Sequence, residues 1–80
     1  MNAFHFPRSL RWWRLHRRVG VTELGRHVDV GRQAVHAWEA GHATPTLERL
    51  HRIADVLDVP VRALLEAPPT VDVEAGNGGA

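Results

Sequence analysis

Three polar side chains have the types and spacing needed to read the edges of DNA bases. Arg32, Gln33 and His36 occupy positions i, i+1 and i+4, which fall on one side of a helix. Arginine and glutamine can each form two parallel hydrogen bonds with a base in the major groove, and an alanine methyl can contact the methyl group of thymine. We therefore predict a base-reading face formed by Arg32, Gln33, His36 and Ala37.

The apolar residues around this face predict two short helices joined by a tight turn. They recur at helical spacing on both sides of a break: Val21, Leu24, Val28, Val35 and Trp38. Helices of about eight residues do not persist alone in water, so each apolar stripe must be buried against the other helix and the rest of the chain. This arrangement is a helix-turn-helix.

Gly25 lies inside the first of these two helices, where glycine costs about 1 kcal/mol relative to alanine. The residue is either a tolerated weak spot on an exposed face or the site of a close approach between helices. We favour the close approach, because Gly25 adjoins Leu24 on the side that is expected to face Val35.

Three further helices are predicted to complete an all-α fold. Ser9 has the type and position of an N-cap for the first helix, and Thr46 for a long fourth helix. Gly41 is placed to end the third helix in the left-handed conformation, and Pro60 separates the fourth helix from a short fifth helix at 61–65. The predicted core consists of Leu10, Trp13, Leu24, Val28, Val35, Trp38, Leu47, Leu50, Ile53, Ala54, Leu57 and Leu64.

The chain has the length of one small domain, which we place at residues 9–66. Residues 1–8 are predicted to form a flexible arm, in which Phe4 and Phe6 either fold back onto the domain or form an interface. Residues 67–80 are rich in proline, glycine and acidic residues and are predicted to form a disordered tail.

Charge is distributed unevenly along the chain, although the net charge is only +1. Seven arginines stand against two acidic residues up to Trp38, and three arginines against seven acidic residues after it. Basic charge is thus concentrated in the half that contains the candidate base-reading face, as contact with a phosphate backbone requires.

Several other classes of function are not expected from the sequence. The six histidines include no pair three or four residues apart on a helix, so no metal site is predicted. A phosphate-binding glycine loop, a nucleophile elbow and paired carboxylates are also missing, so we expect neither an enzyme nor a cofactor. Without an apolar run of about 18 residues or a signal peptide, the chain is expected to avoid membranes and to be cytoplasmic.

The joint spacing of these residues resembles the Cro/lambda-repressor type of helix-turn-helix, the XRE family. The resemblance extends from about Leu10 to Leu65 and includes the runs Leu24-Gly25, Val28-Asp29-Val30-Gly31-Arg32, Trp38-Glu39-Ala40-Gly41 and Pro45-Thr46-Leu47. It differs at Gly20 and Gly31, where the family usually has serine or threonine at the start of a helix. The resemblance implies a compact five-helix lambda-repressor-like DNA-binding domain.

The resemblance also implies roles for individual residues. Arg14 and Glu39 match an arginine and a glutamate that form a structural ion pair in the family, although two solvated surface charges are the alternative. In the family, the loop that includes His42 and Thr44 approaches the DNA backbone, and its amides are expected to do so here. From the charge pattern we add Arg26 and Arg18 as backbone contacts.

Two classes of function agree with this sequence. The first is a transcriptional regulator that binds double-stranded DNA sequence-specifically, most simply a repressor. It would bind as a homodimer that places its two recognition helices in successive major grooves about 34 Å apart. The second is an antitoxin or protein-interaction module that grips a partner protein through Trp12, the fifth helix or the tail. Trp12 is otherwise expected to be a surface ring without a role.

Overall fold

Five helices account for the regular structure of residues 4–69, the part of the chain that the computed structural model describes. They are α1 (Phe6–His16), α2 (Val21–His27), α3 (Arg32–Ala40), α4 (Leu47–Leu57) and α5 (Val61–Leu65). Between residues 4 and 69 there are no strands, which confirms the predicted five-helix all-α fold. Helix α1 packs on α3 and α5, and α4 packs on α2 and α5.

Helix α1 begins at Phe6, four residues earlier than an N-cap at Ser9 implies, and its N-cap is His5. Pro7 is tolerated in the first turn because the N–H it lacks would have no partner there in any case. Ser9 is fully buried inside the helix, and its hydroxyl donates a hydrogen bond to the carbonyl of Ala63 at 2.8 Å. Residues 6–8, predicted as part of the arm, therefore belong to α1.

The core is formed by apolar residues of all five helices and of the turn after α2. They are Phe6, Leu10, Leu24, Val28, Val35, Trp38, Ile53, Ala54, Leu57 and Leu64. Trp13 and Leu50, predicted as core residues, are half-buried against this cluster. The prediction for Leu47 is wrong, because its side chain is 68% exposed. Leu47 is the first residue of α4, and the buried residues of this helix, Ile53, Ala54 and Leu57, all lie in its second half.

The turn between α2 and α3 depends on a close approach of the backbone at Gly25. The Val30 N–H donates to the Gly25 carbonyl at 2.8 Å. A Cβ atom on Gly25 would lie 2.6 Å from the Val30 carbonyl oxygen, closer than any side chain allows. The expected close approach is present, but its partner is the backbone of the turn and not the helix surface at Val35. Asp29 completes the turn with a left-handed backbone at a φ of 61°.

Local signals at the other helix ends agree with the structure. The Thr46 hydroxyl accepts a hydrogen bond from the Arg49 N–H at 3.2 Å, and Gly41 ends α3 with a φ of 81°. Gly20 and Gly31 are the N-caps of α2 and α3 and supply no side-chain acceptor there.

Parts of the predicted arm and tail lie outside the described residues, namely 1–3 and 70–80. Within the predicted tail, Pro68 is buried, so the chain still packs on the domain three residues beyond α5. Across residues 4–69, no helix has the length and apolar character needed to cross a membrane.

Candidate nucleic-acid interface

Helix α3 is divided into a buried side and an open side. Val35 is fully buried, and Trp38 is only 4% exposed. Arg32, Gln33 and His36 are all exposed, and none forms a side-chain hydrogen bond or ion pair within residues 4–69. The structure therefore brings these three candidate base readers together on the open side, with the fourth, Ala37, half-buried at its edge.

A buried ion pair fixes the far end of α3 to α1. Arg14 Nε lies 2.6 Å from Glu39 Oε2, and Arg14 Nη2 lies 3.1 Å from Glu39 Oε1. A third hydrogen bond runs from Arg14 Nη1 to the carbonyl of Val19 at 3.1 Å. Both charged side chains are only 8% exposed. The predicted pair is present, and its two parallel hydrogen bonds hold α3 in one orientation.

The four residues expected to contact the DNA backbone are all exposed. Arg18 is the second residue after α1 and has a left-handed backbone, and Arg26 lies in the last turn of α2. His42 and Thr44 lie in the loop between α3 and α4. Their side chains have no partner in the described part of the chain, which leaves them accessible to phosphate.

The ten arginines fall into two groups within residues 4–69. Four have partners in the fold: Arg14 binds Glu39, Arg52 lies 3.8 Å from Glu48, and Arg17 and Arg49 bind backbone carbonyls. The other six are exposed and have no side-chain hydrogen bond or ion pair: Arg8, Arg11, Arg18, Arg26, Arg32 and Arg62.

Sequence analysis missed the arginines that bind helix ends. Arg17 Nε donates to the Leu57 carbonyl at 2.7 Å, and Arg49 Nε donates to the Val28 carbonyl at 3.2 Å. Leu57 is the last residue of α4 and Val28 is the C-cap of α2, so neither carbonyl has a backbone donor one turn further along its helix. No sequence signal identifies such partners, because they are 40 and 21 residues away along the chain.

Three aromatic side chains of α1, those of Trp12, Trp13 and His16, pack against one another. Trp12 stacks on His16 with ring centroids 4.5 Å apart and meets the edge of Trp13 at 4.8 Å. Trp12 is half-buried and so is more than an isolated surface ring. The indole N–H of Trp13 is buried and has no hydrogen-bond partner within residues 4–69.

No group of histidine, aspartate or glutamate residues in that range could hold a metal ion.

The five helices and the open side of α3 define a helix-turn-helix domain. Residues 10–64 match the family model described as "Helix-turn-helix". The chain belongs to the XRE-type helix-turn-helix family of DNA-binding transcription regulators, which are not enzymes. No curated protein matches the sequence significantly.

Solved structures with a similar fold include regulators and part of an enzyme. The DNA-binding domain of the P22 c2 repressor is 26% identical with a TM-score of 0.75, covering 82% of this chain and 87% of that one. The restriction-modification controller protein C.AhdI from Aeromonas hydrophila is 25% identical with a TM-score of 0.69, covering 74% and 86%. Hydroxypropylphosphonic acid epoxidase from S. wedmorenis is 30% identical with a TM-score of 0.71, covering 85% of this chain but 35% of the enzyme.

Proposed function

We propose that this regulator reads a specific sequence in the major groove of double-stranded DNA and that α3 is its recognition helix. The observation that carries the proposal is the division of α3 into a buried side and an open polar side. Val35, Trp38 and the ion pair of Glu39 hold the helix from behind. A polar face held this firmly can place its donors against base edges without first ordering a loop.

The open side of α3 supplies side chains suited to base readout. Arg32 would bind guanine and Gln33 adenine, each through two hydrogen bonds, because these are the pairings that match their donors and acceptors. His36 and Ala37 would adjust the choice of neighbouring bases. Arg18, Arg26, His42 and Thr44 would hold the phosphate backbone on either side of the groove.

We further propose a homodimeric repressor. The small size of the domain limits the affinity that a single copy can reach, and two copies can read two half-sites about one helical turn apart. The similar P22 c2 protein is named a repressor, and the similar C.AhdI protein is named a controller protein.

Selecting duplexes from a random pool tests the proposed function. We expect an enriched motif whose two halves form an inverted repeat, together with an affinity that falls steeply as the salt concentration rises. A pool that stays random after selection, or binding to duplex that is independent of salt, would contradict sequence-specific recognition.

A second candidate function is a protein-interaction module, including an antitoxin. The observation that favours it is the similarity to part of the epoxidase. In that protein, which is named as an enzyme, the similar region makes up 35% of a longer chain. The stacked rings of Trp12 and His16 on α1 would be one contact surface. Binding to a protein partner that persists at high salt, with no preference for any duplex, would support this function over the first.

A further inference from the structure

Three of the arginines without a partner lie on α1 or within two residues of its end, outside the helix-turn-helix itself. They are Arg8, Arg11 and Arg18. Arg18 is already a candidate for backbone contact, whereas Arg11 has no assigned role. Its position relative to α3 decides what it can reach.

Arg11 shares one edge of α1 with two residues that touch the end of α3. Pro7, Arg11 and Arg14 recur at i, i+4 and i+7, so they line the same side of the helix. Pro7 Cγ lies 3.7 Å from the position that a Cβ atom would take on Gly41. Arg14 binds Glu39, which lies two residues before Gly41. Arg11 therefore lies between these contacts, beside the C-terminal end of α3.

The surroundings of Arg11 favour an anion. Glu39 is the acidic residue at this end of α3, and both of its carboxylate oxygens are already bound by Arg14. No acidic side chain pairs with Arg11 in the described range. The loop that follows α3 adds the exposed side chains of His42 and Thr44, which carry no negative charge. The positive charge of Arg11 therefore stays available at this edge.

We propose that Arg11 binds a phosphate of the DNA backbone and so extends the contact from α3 onto α1. This inference rests on the proposed function, because it needs a duplex lying along the open side of α3. A guanidinium group fits phosphate through two parallel hydrogen bonds. Since Arg14 and Glu39 fix α1 to α3, the two contacts move as one rigid unit, and binding requires no rearrangement of α1.

Salt-dependent binding of an Arg11→Ala variant tests this inference, with a random-sequence duplex and the selected duplex as probes. We expect the slope of the logarithm of the binding constant against the logarithm of the salt concentration to become less steep by about one unit. Affinity at 0.1 M salt should fall about eightfold on both duplexes. Arg11→Lys should keep most of the slope, because the charge remains. Arg62→Ala is the matched control. Arg62 is also exposed and unpaired, but it lies on α5, whose main packing partners are α1 and α4 and not α3.

The possible failures can be told apart. If Arg11→Ala binds both duplexes as tightly as Arg62→Ala does, while Arg26→Ala loses affinity, the proposed phosphate contact of Arg11 is wrong and the proposed function still holds. If the unchanged protein shows no salt-dependent binding to either duplex, both proposals are wrong. Thermal unfolding of Arg11→Ala should match that of the unchanged protein, because Arg11 makes no contact that holds the fold.

Discussion

The guanidinium group of Arg14 and the carboxylate of Glu39 meet in a site that is almost closed to water. Removing both charges from water is costly, and their attraction with three hydrogen bonds roughly offsets that cost. The pair therefore adds little net stability. Its effect is to select one arrangement of α1 against α3, because any other arrangement would leave a buried charge without a partner.

Arg14→Ala should reduce the free energy of unfolding by about 3–5 kcal/mol, since Glu39 would keep its charge in a site with few donors. Denaturant unfolding measures this change. Arg52→Ala is the control, because Arg52 and Glu48 form an exposed pair with side chains 49% and 78% accessible, and its loss should cost under about 1 kcal/mol. Equal losses in the two variants would show that the buried pair does not fix the helices.

Individual arginine roles were only partly predictable. Arg14 and Glu39 could be paired through a family resemblance, which carries information about distant contacts. Arg17 and Arg49 could not be assigned from sequence. The carbonyls they bind become neighbours only when the fold brings the end of α1 to the end of α4, and α4 to the end of α2.

At the scale of elements, the turn between α2 and α3 sets the angle between α2 and the proposed recognition helix, α3. The turn passes so close to Gly25 that a side chain there would collide with backbone, which cannot rotate away as a flexible side chain can. Glycine is therefore required at this position by the turn, despite its cost within a helix.

Gly25→Ala should lower stability by about 1–3 kcal/mol, because the turn must move to admit the Cβ atom. Gly20→Ser is the comparison: nothing lies within 4 Å of the added Cβ, and the φ of −75° suits serine. A serine hydroxyl at this N-cap should stabilise by a few tenths of a kcal/mol. Thermal unfolding measures both changes, and a Gly25→Ala variant as stable as the unchanged protein would show that the turn is not constrained.

Helix ends were predictable where the signal is local and not where it depends on burial. Thr46 and Gly41 act on residues within one turn, so sequence alone placed both correctly. Ser9 also has the chemistry of an N-cap, but its hydroxyl meets a carbonyl on α5, 54 residues away. Leu47 matches the apolar spacing of α4, but it lies in the first turn of the helix, outside the core. Spacing alone cannot show where along a helix the core begins.

For the whole molecule, small size makes each core residue matter. A domain of this size buries only about 60% of the surface of its unfolded chain, so stability is marginal. Phe6 lies at the start of α1, is 1% exposed and is one of the largest buried side chains. The residue therefore helps to close the core at an end that the sequence suggested was a loose arm.

Phe6→Ala should cost about 3–5 kcal/mol, which is a large share of the stability of so small a domain. Phe4→Ala removes the same side chain two residues earlier, where it is 57% exposed, and should cost much less. Denaturant midpoints for the two variants provide the comparison. Similar midpoints would mean that Phe6 is not a core residue in solution.

The exposed side chains of α3 should determine sequence preference, while unpaired arginines elsewhere should determine overall affinity. This division of roles follows from where each group lies: Gln33 is on the open side of α3, and Arg26 is in the last turn of α2. Base contacts discriminate between sequences, whereas phosphate contacts strengthen binding to every duplex.

The most direct test is the affinity of Gln33→Ala for the selected duplex and for random-sequence duplex, with Arg26→Ala measured alongside. We expect Gln33→Ala to lose about 1–3 kcal/mol on the selected duplex and almost nothing on random duplex. Arg26→Ala should weaken both and lower the salt slope by about one. Equal losses for Gln33→Ala on the two duplexes would contradict base reading by α3.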